Sequence, residues 1–497
     1  MSEPPPAAPP ALPRFSTGIP GLDIALGGGL LRGGLYLVEG QPGAGKTILG
    51  NQLAFAHIAA GGRVVYVTLL TEAHSRMLGH LRPLTFYDEA VIGDALVYLS
   101  GTGPLEEGGL PALLTLLHAA LRQRRATLLV VDGLAVVAES AEAENPLRRF
   151  MVTLQSYMES IGGVALLLGR PLAGRADLAH TMVDGVLALR SEAVDVEVLR
   201  TAEVVKFRGA AHLRGRHAYA ITDAGLVIYP RTEARYAAPA AVPAGDPLAP
   251  AASVGLPRLD AMLGGGLPRG AAMLVAGGAG TGKTPFGLHF LDAGARAGEA
   301  GLYFGFGEPP AALLAAAAGL GLTLRAAFDR EGLAFVWQLP GEEPLDALAE
   351  RLLAAVARQG ARRLVLDGLD ILALLARRDA RLVNFWAALQ QELRRRGVTT
   401  VATLLLPALF GAPSTLPIAG LDGQFDTLLF LHTVERHGRL DRLVSVLKAR
   451  GRAADRISRE FRLTDRGIQI AATADGAEAA PAAPVREGDD GADAAGR

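Results

Sequence analysis

The fold class predicted from the sequence is α/β, built twice over: each half a mostly parallel sheet flanked by helices and closed by β-hairpins. Three observations predict it. The octapeptide Gly40–Thr47, GQPGAGKT, returns as Gly277–Thr284, GGAGTGKT, and each copy follows an apolar strand-like run and opens a helix-like one. The separations 260 − 23 (Asp260 from Asp23) and 283 − 46 (Lys283 from Lys46) both equal 237, so the match is gapless and the repeating unit is as large as a domain. The strands that follow, among them GVALLLG and VTTVATLLLP, are continuously apolar rather than alternating. Such strands belong in a parallel sheet covered on both faces.

The order of elements is the same in both halves. Residues 1–14 are Pro/Ala-rich and read as a disordered tail. The first domain, 15–230, begins with STGIPGLDIALGGGLLRG (Ser16–Gly33) and continues through RVVYVTLL and TLLVVDGL to two closing β-segments, VEVLRTAEVVKFRG and HAYAITDAGLVIYP. An Ala/Pro linker, 231–252, is expected to run semi-extended without packing. The second domain, 253–470, starts with SVGLPRLDAMLGGGLPRG and runs through AGLYFGFG and RLVLDGLD to RLVSVLKARG and SREFRLTDRGIQI. The D-A-G and D-R-G turns mark hairpins. Residues 471–497 read as a second disordered tail.

Composition excludes several classes. Half of the 497 residues are apolar and the net charge is −1, so the chain is globular and offers no general basic field for nucleic acid or an anionic membrane. Cysteine is absent, which removes disulfides, thiolate metal sites and cysteine nucleophiles. The Pro-rich start has no signal-peptide pattern, and no apolar run approaches the roughly 20 residues of a membrane span. A cytoplasmic protein without membrane contact is the expectation.

Both octapeptides fit G-x-x-x-x-G-K-[ST], a loop that turns backbone N–H groups around phosphate oxygens at a helix N-terminus. Gly40, Gly43, Ala44, Gly45, Lys46 and Thr47 form the first cradle; Gly277, Gly280, Thr281, Gly282, Lys283 and Thr284 form the second. Lys46 and Lys283 would reach the β/γ-phosphates of a bound nucleotide. Four apolar residues ending in Asp132 and again in Asp367 place a carboxylate at the end of a buried strand, where it would share a Mg²⁺ with Thr47 or Thr284.

The STGIPGLD…GGGLLRG opening, the P-loop, the strand-end aspartate and a closing K-x-R-G element together resemble the KaiC family, a RecA/RadA-like branch of the P-loop ATPases. The resemblance spans both halves and implies two tandem RecA-like P-loop NTPase domains, ATP bound between neighbouring copies of the chain, and homo-oligomeric rings, commonly hexamers. It also implies hydrolysis of ATP to ADP and phosphate in a signalling or regulatory setting. Family members carry paired glutamates after the second strand to orient water. Here the second half has F-G-E, matching Glu308 to one of the pair, while the first has L-L-T-E, with Glu72 one residue late. The K-x-R element, Lys206 and Arg208 in the first half and Lys448 and Arg450 in the second, is expected to project onto a neighbour's γ-phosphate. Alternate residues of a strand share one face, so both cations can address one anion.

The family's autokinase acceptor pair is replaced by Asp422 and Gly423, which argues against serine/threonine autophosphorylation; Thr427 matches the following strand. Two other readings stay open: a nucleotide-gated scaffold with little turnover and an unidentified protein partner, and a DNA recombination mediator, which the neutral charge disfavours. Among weaker features, Glu392–Gly397 reads as a solvated helix end and His212 and His217 as surface or turn histidines. Gly169–His180 lies where RecA-like proteins carry channel loops, but it lacks aromatic residues for stacking bases.

Overall fold

The computed structural model describes residues 13–69, 74–139, 144–170, 176–194, 196–237, 251–339, 341, 343–407 and 416–472. A short ribbon, β1 (Arg14–Phe15) against β2 (Leu30–Leu31), frames the opening loop. The loop is tied by Asp23, whose carboxylate accepts from Ser16 Oγ at 2.7 Å, Thr17 N at 2.9 Å and Thr17 Oγ1 at 2.6 Å. Asp260 does the same work in the second half, accepting from Ser253 Oγ and Val254 N. The S-x-G-x-P-x-L-D signature is therefore a structural staple.

The first sheet contains β3 (Leu35–Gly40), β4 (Val64–Thr68), β5 (Leu96–Ser100), β6 (Leu128–Asp132), β7 (Val164–Gly169), β8 (Gly185–Val194), β9 (Glu197–Phe207), β10 (Arg216–Thr222) and β11 (Gly225–Tyr229). From one edge the order is β5-β4-β6-β7-β3-β8-β9-β10-β11. The pairs from β5 to β8 are parallel, and β8 to β11 close the sheet as antiparallel hairpins. The second sheet contains β12 (Ala272–Gly277), β13 (Gly301–Gly305), β14 (Leu333–Trp337), β15 (Arg363–Asp367), β16 (Thr399–Leu405), β17 (Thr427–Arg436), β18 (Arg439–Ala449), β19 (Arg459–Thr464) and β20 (Gly467–Ile470). Its order, β14-β13-β15-β16-β12-β17-β18-β19-β20, repeats the first strand for strand.

Continuous burial along β3, β4, β6 and β7 explains their unbroken apolar runs: both faces are covered. On one face Tyr36, Val38, Tyr66 and Val130 pack under helix Lys46–Ala59, which supplies Leu49 and Leu53. On the other, Leu35, Leu37, Val65 and Val131 pack with Leu113, Leu117, Phe150 and Leu154 of helices Thr102–Arg124 and Glu144–Ile161. The two tandem α/β domains with closing hairpins are as the sequence predicted.

Contacts divide the chain into two compact units. One takes in the first sheet together with 338–358 and 371–396; the other is built on the second sheet. Within the first unit, three expectations are corrected. Thr232–Arg235, at the head of the linker, forms a helical turn instead of extended chain, because Thr232 N and Oγ1 both donate to the buried carboxylate of Asp346 at 3.0 Å. Arg381 donates to the other oxygen at 2.6 Å, and burial against that cation still pushes the Asp346 carboxyl above its ordinary range. Glu392 is buried rather than solvated, held by Arg395 and Arg396. His217 is likewise buried; its Nδ1 accepts from Arg231 N at 3.0 Å and burial keeps it neutral by lowering its pKa. Half-buried His212 has its pKa lowered by the same cause. Among the described residues no helix is long and apolar enough to cross a membrane.

Candidate nucleotide sites

Both P-loops leave the C-terminal end of the central strand, β3 or β12, and wind directly into a helix, Lys46–Ala59 or Lys283–Arg296. Glycine is required where the chain turns: Gly45 sits at φ 90° and Gly282 at φ 102°, in the left-handed region. Gly40 and Gly277 are needed for close approach, since a Cβ there would stand 2.6 Å from the carbonyl oxygen of Leu189 or Leu431. Gly43 and Gly280 also take positive φ, 81° and 71°, at the exposed crest. Ala44 and Thr281 are buried beneath the loop. The Thr281 hydroxyl donates to Gly278 O at 2.9 Å, and Tyr219 OH donates to Ala44 O at 2.7 Å, so these positions shape the base of the cradle.

Lys46 Nζ donates to Gly40 O at 2.8 Å and Gln41 O at 3.0 Å; Lys283 Nζ donates to Gly277 O at 3.0 Å and Gly278 O at 2.8 Å. Burial lowers the pKa of both, opposed by Asp132 at the first and by Asp367 and Asp370 at the second. Thr47 Oγ1 donates to Asp132 at 2.8 Å, and Thr284 Oγ1 to Asp367 at 2.9 Å. A phenol joins each pair: Tyr66 OH lies 3.1 Å from Asp132, and Tyr303 OH lies 2.5 Å from Asp367. Thr403 donates to the second oxygen of Asp367. Burial raises the pKa of both phenols, so they remain donors. In the first domain Pro42, Lys46, Thr47, Asp132, Gly169 and Arg170 enclose a cleft of ≈ 380 Å³ beside the loop.

The donor set fits a hard cation. At each site a hydroxyl and a carboxylate, both oxygen ligands, stand in hydrogen-bond contact, and among the described residues no group of three or more His, Cys, Asp or Glu forms a cage. Magnesium is commonly held this way, by one or two protein oxygens plus phosphates and water. Thr47 with Asp132, and Thr284 with Asp367, would hold it, and it would neutralise charge on the β- and γ-phosphates.

Glu308 is exposed just beyond β13, and its charge acts on the Tyr303 hydroxyl that bonds Asp367. Glu72 lies outside the described residues, as do residues 171–175 of the candidate channel loop. The K-x-R cations sit elsewhere. Lys206 Nζ donates to His180 O and Thr181 O at 2.5 and 3.1 Å, and Arg208 donates to Thr181 O at 2.8 Å. In the second domain Lys448 donates to Asp422 O at 2.8 Å and Arg450 to Gly423 O at 3.2 Å. Lys206 pairs with Val186 and Lys448 with Leu428, at the N-terminal starts of β8 and β17, whereas the P-loops leave the C-terminal ends of β3 and β12. Each pair therefore faces away from the phosphate loop of its own domain.

The KaiC ATPase family model matches residues 15–233 and 252–475, which is most of the chain and both domains. The chain belongs to the KaiC ATPase family. It is 25% identical over 472 residues to the circadian clock oscillator protein KaiC of Synechococcus elongatus (strain ATCC 33912 / PCC 7942 / FACHB-805), covering 93% of this chain and 89% of that protein. It is 26% identical to the circadian clock proteins KaiC2 and KaiC3 of Synechocystis sp. (strain ATCC 27184 / PCC 6803 / Kazusa), covering 93% and 92% of this chain and 82% and 91% of theirs. Two ATPase domains of KaiC type, each with a P-loop, thus stand in tandem.

Sequence reasoning missed four residues of these family sites. Tyr66 and Tyr303 read as core strand residues, yet alternation from the strand end aims their hydroxyls at the aspartate of the adjacent strand. Asp370, three residues after Asp367, faces Lys283. Arg170, first after β7, was grouped with the channel loop; its place beside the central strand's C-terminal end was the available signal.

Proposed function

We propose that the chain hydrolyses ATP to ADP and phosphate at Mg²⁺-dependent sites completed by a neighbouring copy, in a homo-oligomeric ring, a hexamer by family analogy. The observation that carries this reading is the position of Lys206/Arg208 and Lys448/Arg450: conserved in spacing between the two domains, grouped as pairs, and turned away from their own P-loops. A head-to-tail contact would bring each pair to the next subunit's phosphate loop, and such contacts close into rings when the rotation allows. The cations would then stabilise transition-state charge only after assembly, coupling turnover to the ring.

Within each site the chain's own groups have separable roles. Lys46 or Lys283 and the loop N–H groups bind and orient the phosphates. Tyr66 or Tyr303 holds the aspartate. Glu308 orients water in the second domain, which makes that domain the hydrolytic half, and Glu72 is the weaker counterpart in the first. The domain limits 15–230 and 253–470 are part of the same reading, as is a cytoplasmic ring without membrane or nucleic-acid contact. Asp422 and Gly423 lend only backbone carbonyls to Lys448 and Arg450, which supports an ATPase without autokinase activity at those positions.

A second reading, a nucleotide-gated scaffold, is favoured for the first domain, where among the described residues Asp132 is the carboxylate whose charge acts on Lys46. Steady-state phosphate release from Mg·ATP, compared among wild type, Lys46→Ala and Lys283→Ala, separates the two. Loss of most turnover in Lys283→Ala alone supports the proposal. Release no greater than that of the double mutant, with an ATP-dependent rise in particle mass by light scattering, would replace it with the scaffold. Incorporated phosphoryl groups in intact-mass spectra would overturn the exclusion of autokinase activity.

A further inference from the structure

The matching strand ends place different charges over the two P-loops. Leu128 pairs with Val164 and Arg363 with Thr399, so β7 and β16 correspond residue for residue, and Arg170 corresponds to Leu405. By the same register Ala135 corresponds to Asp370. Arg170 lines the first cleft with Lys46, Thr47 and Asp132. In the second domain Leu405 is an exposed apolar side chain, its N–H donates to Asp370 Oδ1 at 3.3 Å, and the Asp370 charge acts on Lys283. Around the first loop the described charges are therefore Lys46 and Arg170 against Asp132. Around the second they are Lys283 against Asp367 and Asp370, with Glu308 at the rim.

We propose that Arg170 makes the first site selective for the triphosphate end of a nucleotide and tolerant of low magnesium, whereas Leu405 and Asp370 make the second site dependent on the divalent ion. The proposal rests on the nucleotide-binding reading above. A triphosphate carries more charge than a diphosphate, and its excess lies at the γ-position, beyond the reach of the loop N–H groups that hold the other phosphates. A guanidinium at the strand end supplies a fixed, always-charged fork for those oxygens. Where it is replaced by a leucine and an extra carboxylate, a phosphate of the same charge needs a metal ion to offset the repulsion.

The test uses the full-length chain and fluorescent N-methylanthraniloyl ATP and ADP, titrated with magnesium and with EDTA. Lys283→Ala leaves the first site to be read, and Lys46→Ala leaves the second. In the Lys283→Ala background, ATP binding survives EDTA and exceeds ADP binding; Arg170→Leu lowers ATP affinity by about tenfold or more, with ADP little changed, the scale of one charge-assisted pair. Arg170→Lys keeps the charge and most of the preference. In the Lys46→Ala background, EDTA abolishes ATP binding and Leu405→Arg restores part of it. Equal losses for ATP and ADP in Arg170→Leu, or a first site as magnesium-dependent as the second, would overturn the assignment while leaving the nucleotide sites standing. Absence of binding in both backgrounds, with binding also absent in wild type, would instead remove the nucleotide reading on which it depends.

Discussion

The two domains share their topology strand for strand and differ in the charges hung on it. Both place a lysine over two loop carbonyls, a threonine on a strand-end aspartate and a tyrosine behind that aspartate. Around this common frame, among the described residues, the first domain adds Arg170, and the second adds Asp370 and Glu308. Duplication has preserved the geometry needed to bind a phosphate chain while the groups that decide what happens next have separated. The frame is carried by glycines, backbone and buried strands, where substitution is costly; the added charges sit at strand ends, where it is cheap.

The sharpest way to break this comparison is at Glu308. Glu308→Gln is expected to lower phosphate release by on the order of 10²-fold, the usual scale for a residue that positions or deprotonates water, while leaving nucleotide affinity in place. An unchanged rate would mean that the second domain does not use Glu308 and that the division of labour between domains is wrong.

A difference away from the nucleotide sites gives the next largest effect. In the second domain Glu299 bridges Arg269 at 2.6 Å and the buried Arg363 at 2.5 Å, and Arg363 Nη1 also donates to Ser253 O and Phe290 O. The first domain keeps Arg32 at the place of Arg269 but has Gly62 for Glu299 and Leu128 for Arg363; His57 occupies the space a side chain at 62 would need. Glu299→Ala should destabilise the second domain by about 3 kcal/mol, because it strands a buried cation, and Gly62→Ala should destabilise the first through collision with His57. The two arginines hold the Glu299 carboxyl below its ordinary range against the opposing effect of burial. Its folded pKa is thus lower than its unfolded one, so its contribution is complete at neutral pH and is lost as pH falls from about 4.5 through the folded value. Urea midpoints from pH 7 to pH 3 should fall further for wild type than for Glu299→Ala. Parallel curves would show that the cluster adds no acid-sensitive stability.

How much of this was legible in the sequence follows from which interactions are local. The P-loops, the strand-end positions of Asp132 and Asp367, the mostly parallel sheets and the closing hairpins were legible because glycine spacing, apolar runs and turn residues act over short distances and occur twice in register. The tyrosines behind the aspartates were hidden: a Tyr in VVYVT or GLYFG looks like core until the neighbouring strand is known. Asp346 hid the packing of Thr232, since 114 residues separate the partners and Ala/Pro composition masked a helical turn. His217 and Glu392 were misread for a related reason. Polar residues default to solvent in a sequence reading, and only tertiary structure supplies the buried partner. Arg170 fell between two readings, as a loop residue by sequence and a strand-end residue by structure.

The smallest expected effect separates two nearly identical contacts. Tyr66 and Tyr303 are each the phenol behind a strand-end aspartate, but the hydrogen bond is 3.1 Å long in the first domain and 2.5 Å in the second. A hydrogen bond to a charged acceptor contributes about 1.5–3 kcal/mol, and the longer bond should lie at or below the bottom of that range. Replacing the hydroxyl removes a donor that fixes which carboxylate oxygen faces Thr47 or Thr284, without altering the ring that fills the core. Tyr303→Phe should therefore weaken magnesium-dependent nucleotide binding about tenfold, and Tyr66→Phe only about threefold, when magnesium is titrated in the single-site backgrounds. The first site should be the less sensitive for a second reason, because with Arg170 present less of its affinity passes through the metal. Equal losses at the two sites would show that the phenols act only by packing; a larger loss in Tyr66→Phe would show that the first site leans on its aspartate more heavily than its charges imply.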